Sequence, residues 1–348
     1  MNINNVILLS YNEYTPIGAG AKAPSDISNI LKNNYKFPEK NISFVIPNNK
    51  LLLAIKKIFY LLYRFLYLLT LSSKKTYIMQ SNYFCYPIFF PGLTSKILKK
   101  KNIILYIHDI VGLRNQNEEI LLKELKIYNS CKYVIVHNSS MEKFLVSKGV
   151  SRNKLYVLEC FDYLCNNEMK QSKNKNSKTK VICYCGNLKK SPFLWKIKPS
   201  KMKFKINAYG IGIDKDINNA IIYKGKFSAD DLEIIKGDLG LVWDGKYDES
   251  DEEVQYKAYT KYNNPHKLSC YLATGLPVIV WEKSAIAPFV KKNNIGYTIN
   301  NIYDINKLDF KDYNIKKKNA ISIGKKVRKG FFTCNVLEKI YEDNRKEA

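Results

Sequence analysis

Short apolar runs alternate with segments of helical period along nearly all of the 348 residues. In the first half the runs lie at Val6 to Leu9, Ile42 to Ile46, Tyr77 to Met79, Ile103 to Ile107, Tyr133 to His137 and Leu155 to Leu158. In the second half they recur at Val181 to Cys185, Phe204 to Ala208, Ala220 to Tyr223, Leu239 to Trp243, Val278 to Trp281 and Tyr297 to Ile299. Such alternation predicts parallel sheets wound with helices on both faces, because strands buried on both sides read as unbroken apolar runs. The polar stretch from Asn166 to Lys178 has no apolar period and reads as a linker. The predicted organisation is an N-terminal doubly wound α/β domain over 1–165, a linker over 166–180 and a second such domain over 181–312. A helical segment over 313–348 follows, with the option of crossing back to the first domain.

The run from Leu51 to Leu71 has the length of a membrane span but contains Lys56, Lys57 and Arg64. A spanning helix would hold those charges near its middle at high cost. Lys57 and Arg64 are seven residues apart, on one helical face. The run is therefore predicted to be a crossover helix packed on a sheet with a basic outer stripe. The alternative is a helix lying in a membrane interface, and Tyr60, Tyr63 and Tyr67 suit either.

Composition adds a strong charge bias: 57 Lys and Arg against 31 Asp and Glu give a net charge of +26. That charge attracts nucleic acid, anionic lipid or phosphorylated substrates. Much of it is Lys scattered among Asn and Ile, and no RNA-recognition, helix-turn-helix or zinc-finger pattern accompanies it, so no nucleic-acid partner is expected. The eight cysteines form no CxxC pair and read as reduced core residues of a cytosolic protein. Three scattered histidines, His108, His137 and His266, offer no metal site. Met1 runs directly into an apolar strand without a basic region or cleavage site, so no signal peptide is expected. The expected location is cytoplasmic, with placement at the inner face of the membrane left open.

In open parallel sheets ligands bind at the carboxyl ends of strands, so the residues after each strand carry the chemistry. After the first strand comes Gly18-Ala19-Gly20-Ala21-Lys22, a candidate phosphate or sugar loop, with Ser25 as the N-cap of the next helix. After the fourth come His108 and Asp109, with Arg114 close behind: an imidazole, a carboxylate and a guanidinium at one sheet edge, suited to acid-base work. The first strand of the second domain leads into Gly186-Asn187-Leu188-Lys189-Lys190, with Ser191 and Pro192 predicted to start a helix. Further on, Tyr262-Asn263-Asn264-Pro265-His266-Lys267-Leu268 predicts a helix with Asn264 as N-cap, Pro265 at its first position and Gly275 as its end. Its first turn carries His266 and Lys267, although a helix N-terminus is already partly positive and ordinarily attracts Asp or Glu. Cations gathered at two helix starts of one sheet make sense if they share an anion such as a diphosphate. The acidic patch Asp248 to Glu253 reads as a solvated loop, and Asp214-Lys215-Asp216 as an accidental DxD spacing.

Five blocks occur in an order that resembles one family: residues 18–27, Ile107 to Ile110 with Leu113-Arg114, Tyr184 to Leu194, Gly240 to Gly245, and Tyr262 to Ser269. Together they resemble bacterial sugar transferases of the glucosyltransferase 3-like group, which includes adhesin glucosyltransferases and beta-1,6-galactofuranosyltransferases. The resemblance covers nearly the whole chain and implies a GT-B fold, two facing Rossmann-like domains with an inter-domain cleft. It further implies a UDP-sugar donor as substrate, with no cofactor and no obligatory metal, and a glycan, lipid-linked or glycoprotein acceptor. On this resemblance the donor nucleotide and diphosphate would be held by Gly186, Asn187, Lys189, Lys190, Tyr209, Gly210, Tyr262, Asn263, Asn264, His266 and Lys267. Tyr209 and Gly210 would touch the nucleoside. Gly18, Gly20, Lys22 and Arg114 would form the sugar or acceptor loop. Asp109 would take the acceptor proton in an inverting reaction, with His108 on the transferred sugar, whereas a retaining mechanism would assign them differently. Weak membrane-surface contact and homo-oligomerisation stay open. The competing class is a non-catalytic basic module that binds anionic membrane or nucleic acid, which leaves the cationic helix starts unexplained.

Overall fold

The structure, a computed structural model, describes residues 5–10, 19–41, 50–81, 90–165, 180–191, 193–212, 219–244 and 258–346. The chain divides into two compact units, Met1–Leu158 with Phe332–Ala348, and Glu159–Phe331. Each is built on a six-stranded parallel sheet.

The first unit runs β1 (Val6–Ser10), α1 (Ala19–Tyr35), β2 (Glu39–Asn41), α2 (Lys50–Thr70), β3 (Thr76–Gln80), α3 (Pro91–Leu98), β4 (Asn102–Tyr106), α4 (Val111–Arg114), α5 (Glu118–Ser130), β5 (Tyr133–Val136), α6 (Ser139–Ser147) and β6 (Leu155–Val157). The strand order is β2-β1-β3-β4-β5-β6. Every residue of β3 and β5 is buried, which is why these strands read as unbroken apolar runs. Local chemistry starts the helices on this sheet: Asn117 Oδ1 accepts from Ile120 N at 2.9 Å at the head of α5. Asn138 Oδ1 does the same for Ser140 N and Met141 N at the head of α6.

The second unit runs β7 (Ile182–Cys185), α7 (Phe193–Lys196), β8 (Ile206–Tyr209), β9 (Ile221–Tyr223), β10 (Leu239–Val242), α8 (His266–Ala273), β11 (Val278–Trp281), α9 (Ala287–Lys292), β12 (Gly296–Ile299) and α10 (Tyr313–Arg328). Its order is β12-β11-β10-β7-β8-β9. Tyr184, Phe193, Leu239, Leu241 and Ile279 fill its core. Gly330, at φ 74°, breaks α10 from α11 (Phe331–Lys346). From Phe332 onward α11 belongs to the first unit, where Asn344 Nδ2 donates to Tyr133 OH at 2.7 Å and Tyr156 OH donates to Asp343 Oδ2 at 3.2 Å.

In the second sheet the chain proceeds from β7 through β8 to β9, then returns to the other side of β7 for β10. The connections leaving β7 and β10 therefore diverge, and such a switch point opens a crevice at the strands' carboxyl ends.

Four local expectations are corrected. The second strand lies at Glu39–Asn41, pairing with Leu8 to Ser10, and Ile42 to Ile46 falls outside the described residues. An edge strand needs no apolar run, so its polar sequence gave no signal. α1 begins at Ala19, which places Gly20, Lys22 and Ser25 inside a helix, while Gly18 lies outside the described residues. Ser25 is thus not its cap. Pro24 is accommodated within α1, and its carbonyl receives Gln80 Nε2 and Ser28 Oγ, both at 3.0 Å. The third correction is on α2, where Arg64 is only 3% exposed, its guanidinium over the Tyr60 ring, and the outward face is apolar instead of basic. The side chain of Lys57 is outside the described set. Fourth, the helix predicted to start at Pro265 in the second unit starts at His266.

Candidate functional site

At the carboxyl edge of the second sheet three segments converge. Gly186 N donates to Tyr209 O at 3.0 Å, Leu188 N donates to Ile211 O at 2.8 Å, and Gly210 N donates to Gly225 O at 2.9 Å. The first two bonds stitch the loop after β7 to the end of β8 and its loop, and the third ties that loop to the segment after β9. Gly210, at φ 144°, packs so tightly that a Cβ there would stand 1.8 Å from the Gly186 carbonyl oxygen. Only glycine fits.

α8 is fixed over the switch point by Tyr271. Its ring lies against Gly240, where an added Cβ would meet it at 2.2 Å, and its hydroxyl accepts from Cys185 N at 2.7 Å and donates to Leu241 O at 3.3 Å. One side chain thereby ties the helix to both β7 and β10. The N-terminus of α8, with its unsatisfied amides, consequently sits beside Gly186 and Asp244. Lys267 Nζ pairs with Asp244 Oδ1 at 2.7 Å and lies 5.3 Å from the centre of the Tyr184 ring. Its side chain remains 20% exposed and that of Asp244 32%, so both still reach solvent. Burial pulls the Lys267 pKa down, but the Asp244 carboxylate and the Tyr184 hydroxyl outweigh it and hold the pKa above the ordinary lysine value. The ammonium is permanently charged.

The helix start differs from expectation. Pro265, extended at ψ 134°, is the residue before α8, and the helix begins at His266. Asn264 does not cap it: its Nδ2 donates to Glu159 O at 3.0 Å. Proline at N1 would itself need helical angles, and here ψ is extended, so the boundary moves one residue on. The His266 ring is bracketed by Phe161 at 5.8 Å and Tyr163 at 5.1 Å, which makes it part of the helix's seating. Asn263 Oδ1 and Trp243 Nε1 are buried with no hydrogen-bond partner among the described residues. Tyr262 is half-buried next to Asn263.

Around β7 the expected cap is likewise replaced. Asn187 heads a short 3-10 turn, Leu188–Lys190, and its side chain accepts from Lys190 N. The Ser191 hydroxyl bonds Tyr184 OH at 2.7 Å and donates to the Asn187 carbonyl at 2.9 Å, contacts that face β7 and the turn that precedes Ser191. Pro192 lies outside the described residues. Lys189 and Lys190 are exposed on this turn. Tyr209 is corrected too: its side chain is buried and its hydroxyl accepts from Lys236 N at 2.9 Å, so it presents no ring to a nucleoside. Burial pushes its pKa up to about 12. The acidic patch and Asp214 to Asp216 lie outside the described residues.

At the carboxyl edge of the first sheet His108, Asp109 and Arg114 do stand together. Arg114 Nη1 pairs with Asp109 Oδ2 at 2.6 Å, with both side chains more than a third exposed. His108 Nε2 meets Gln80 Oε1 at 2.5 Å. Since Gln80 spends its amide hydrogens on the Pro24 carbonyl and on Ser28 Oγ, at 3.0 Å each, its oxygen faces the imidazole and His108 Nε2 is the donor. Lys22 is not in a loop: it pairs with Asp26 at 2.8 Å inside α1, with both side chains nearly buried.

Glu124, which the sequence did not flag, clamps this edge. Its two carboxylate oxygens accept from Val111 N and Gly112 N, each at 2.8 Å. Gly112 leaves no room for a side chain, because a Cβ would lie 2.3 Å from Leu121 N. Burial raises the Glu124 pKa to about 7 against the opposing pull of those two amides. Asp244, Gln80 and Tyr271 were also missed. Two signals were available: Asp244 lies in the Gly240 to Gly245 block, and Asp244 and Gln80 each stand at the carboxyl end of a strand of their own sheet. Among the described residues no group of three or more His, Cys, Asp or Glu could hold a metal ion.

Two family models match successive stretches of the chain. Residues 4–160 match the family model for the glucosyltransferase 3-like N-terminal domain, and residues 182–340 match that for the glucosyltransferase 3-like C-terminal domain. The beta-1,6-galactofuranosyltransferase WbbI of Escherichia coli is 31% identical over 255 residues, covering 71% of this chain and 73% of that protein. Glucosyltransferase 3 of Streptococcus gordonii is 25% identical over 251 residues, 70% of this chain and 71% of that one. Among solved structures, sucrose-phosphate synthase from Thermosynechococcus elongatus aligns at TM-score 0.66 and 11% identity, covering 99% of both chains. Anabaena HepE in complex with UDP and glucose aligns at TM-score 0.56 and 12% identity, covering 98% of this chain and 99% of that one. The shared architecture is the GT-B fold.

Proposed function

This chain belongs to the glucosyltransferase 3-like family and is a glycosyltransferase, and from that premise we propose that it moves a hexosyl unit from a UDP-sugar to a hydroxyl of a surface glycan or glycoprotein precursor. Its similarity to a galactofuranosyltransferase and a glucosyltransferase favours a galactofuranosyl or glucosyl unit. The observation that carries the donor reading is Lys267, a permanent cation at the N-terminus of α8 and at the switch point of the second sheet. A departing diphosphate gains negative charge, and helix amides with a partly buried ammonium held in place by Asp244 stabilise that charge with little reorganisation. Lys189 and Lys190, exposed on the adjoining turn, add to the same field. These cations can serve the role that a divalent metal serves elsewhere.

For the transfer itself we assign Asp109 as the base of an inverting displacement. The acceptor oxygen bonds to the anomeric carbon, the bond from that carbon to the β-phosphate oxygen breaks, its electron pair leaves on UDP, and the acceptor proton passes to the carboxylate. Arg114 would hold the carboxylate in place, and Gln80 would orient the His108 ring towards the sugar. Incubation with a panel of UDP-hexoses in the presence of chelator, followed by measurement of released UDP, tests the assignment. Turnover of one or a few hexose donors is expected. If no UDP-sugar is turned over or bound, the donor class is wrong.

A further inference from the structure

α2 departs from the ordinary rule for a helix at a protein surface. Arg64 and Leu68 point inward at 3% and 2% exposure, while Ile58, Phe59, Leu62, Tyr63, Leu66 and Leu69 are each 45% to 68% exposed. At 100° per residue these six share an arc of about 140° on the outward side. α3 extends the face. The rings of Phe65 and Phe90 lie 5.9 Å apart, and Phe90 and Leu93 are themselves exposed. Single exposed apolar residues need no explanation, but a contiguous face of this kind marks an interaction surface.

Charge identifies the partner. From Asn41 to His108 the chain has ten Lys or Arg and no Asp or Glu. Lys101 donates to the Leu71 carbonyl, and Asn102 Nδ2 donates to Ser73 O at 2.8 Å. The exposed Lys74, Lys75, Lys99 and Lys100 therefore gather at the C-terminal end of the apolar stripe. On α3, Leu93 and Lys96 are both exposed three residues apart on one face, so apolar and cationic groups are presented together. Two copies of this face brought together would set like charge against like. An anionic bilayer offers both an apolar interior and acidic headgroups.

We propose that the α2 face, with the start of α3, lies flat in the interface of an anionic phospholipid membrane, its apolar side chains in the acyl boundary and its lysines on the headgroups. α2 lies in the surface and does not traverse it: among the described residues no helix is long and apolar enough to cross a membrane. The inference stands whatever donor the second unit binds, and its test needs no turnover.

The full chain is sedimented with vesicles of phosphatidylglycerol and phosphatidylethanolamine, and in parallel with vesicles of phosphatidylcholine alone. Wild type is expected to pellet with the anionic vesicles and only weakly with the neutral ones. Phe59→Gln, Leu62→Gln and Leu66→Gln combined replace exposed groups by good helix formers and should lower anionic-vesicle affinity at least about tenfold with an unchanged circular dichroism spectrum. Lys99→Glu with Lys100→Glu, outside α2, should weaken binding in the same direction and keeps the test intact if the triple variant misfolds. Wild type remaining in the supernatant, or both variants binding as wild type does, overturns the proposal. So does a lipid-free dimer that the triple variant converts to monomer, because the face is then a contact between copies.

Discussion

At single residues the site is governed by which of two opposing effects wins. At Lys267 the attraction of Asp244 outweighs burial, so the ammonium stays charged well above neutral pH, and its contribution to anion binding should be flat between about pH 6 and 9. Glu124 shows the reverse: burial outweighs two backbone hydrogen bonds, and the carboxyl titrates at about 7. A folded-state value raised above the unfolded one gives stability that is fully present below about pH 4.5 and is lost as pH rises through about 7. His137, buried and held at about 4, acts in the opposite sense, because its contribution is present above the ordinary histidine value and is lost as pH falls through about 4. Comparing variants separates the two. Melting temperatures of wild type and Glu124→Gln, taken across this range, should converge or cross as pH rises, with wild type losing stability relative to the variant. Parallel curves would remove Glu124 as a titrating clamp. Asp109→Asn keeps size and hydrogen bonding but removes the charge that accepts a proton, so turnover should fall about 100-fold to 10,000-fold with UDP affinity near normal. A variant that keeps most of its rate excludes Asp109 as the base.

At the level of elements, α8 shows what is legible in a sequence and what is not. The cationic start, the apolar face and the Gly275 end could all be read, because capping and period are local properties. Gly275 does end the helix at φ 73°. The start was misplaced by one residue, since Pro265 suits both the position before a helix and the first position within it. What the sequence could not show was the docking of the helix. Tyr271 looked like one member of an apolar face, yet its hydroxyl bridges two strands. Tyr271→Phe should cost about 1 to 3 kcal/mol, the penalty for leaving the buried Cys185 amide without its partner. Chemical denaturation measures this directly, and a loss below a few tenths would mean another group takes over. α2 was misread for a related reason. Spacing placed Lys57 and Arg64 on one face but could not say which face turned inward. Arg64 turned inward, where Tyr60 covers it, and left the apolar arc outside. Tyr209 was misassigned because the end of a strand carries alternate side chains to opposite faces, and its register was not readable.

For the whole molecule, the parallel sheets were legible because buried strands are unbroken apolar runs joined by crossover helices, and the edge strand β2, polar and short, was the exception. Strand order was not legible, yet it is what gives the site its place: β7 lies between β8 and β10, and the loops leaving it and β10 part over the residues that the motifs had marked. The central claim is that a donor diphosphate binds where α8 begins. Isothermal titration of UDP into wild type and Lys267→Ala, with chelator present, tests it most directly. One charge-assisted phosphate contact contributes about 1.5 to 3 kcal/mol, so the variant should bind UDP about 10- to 150-fold more weakly while its circular dichroism spectrum is unchanged. Equal affinity of the two proteins, or no UDP binding by wild type, would contradict the account.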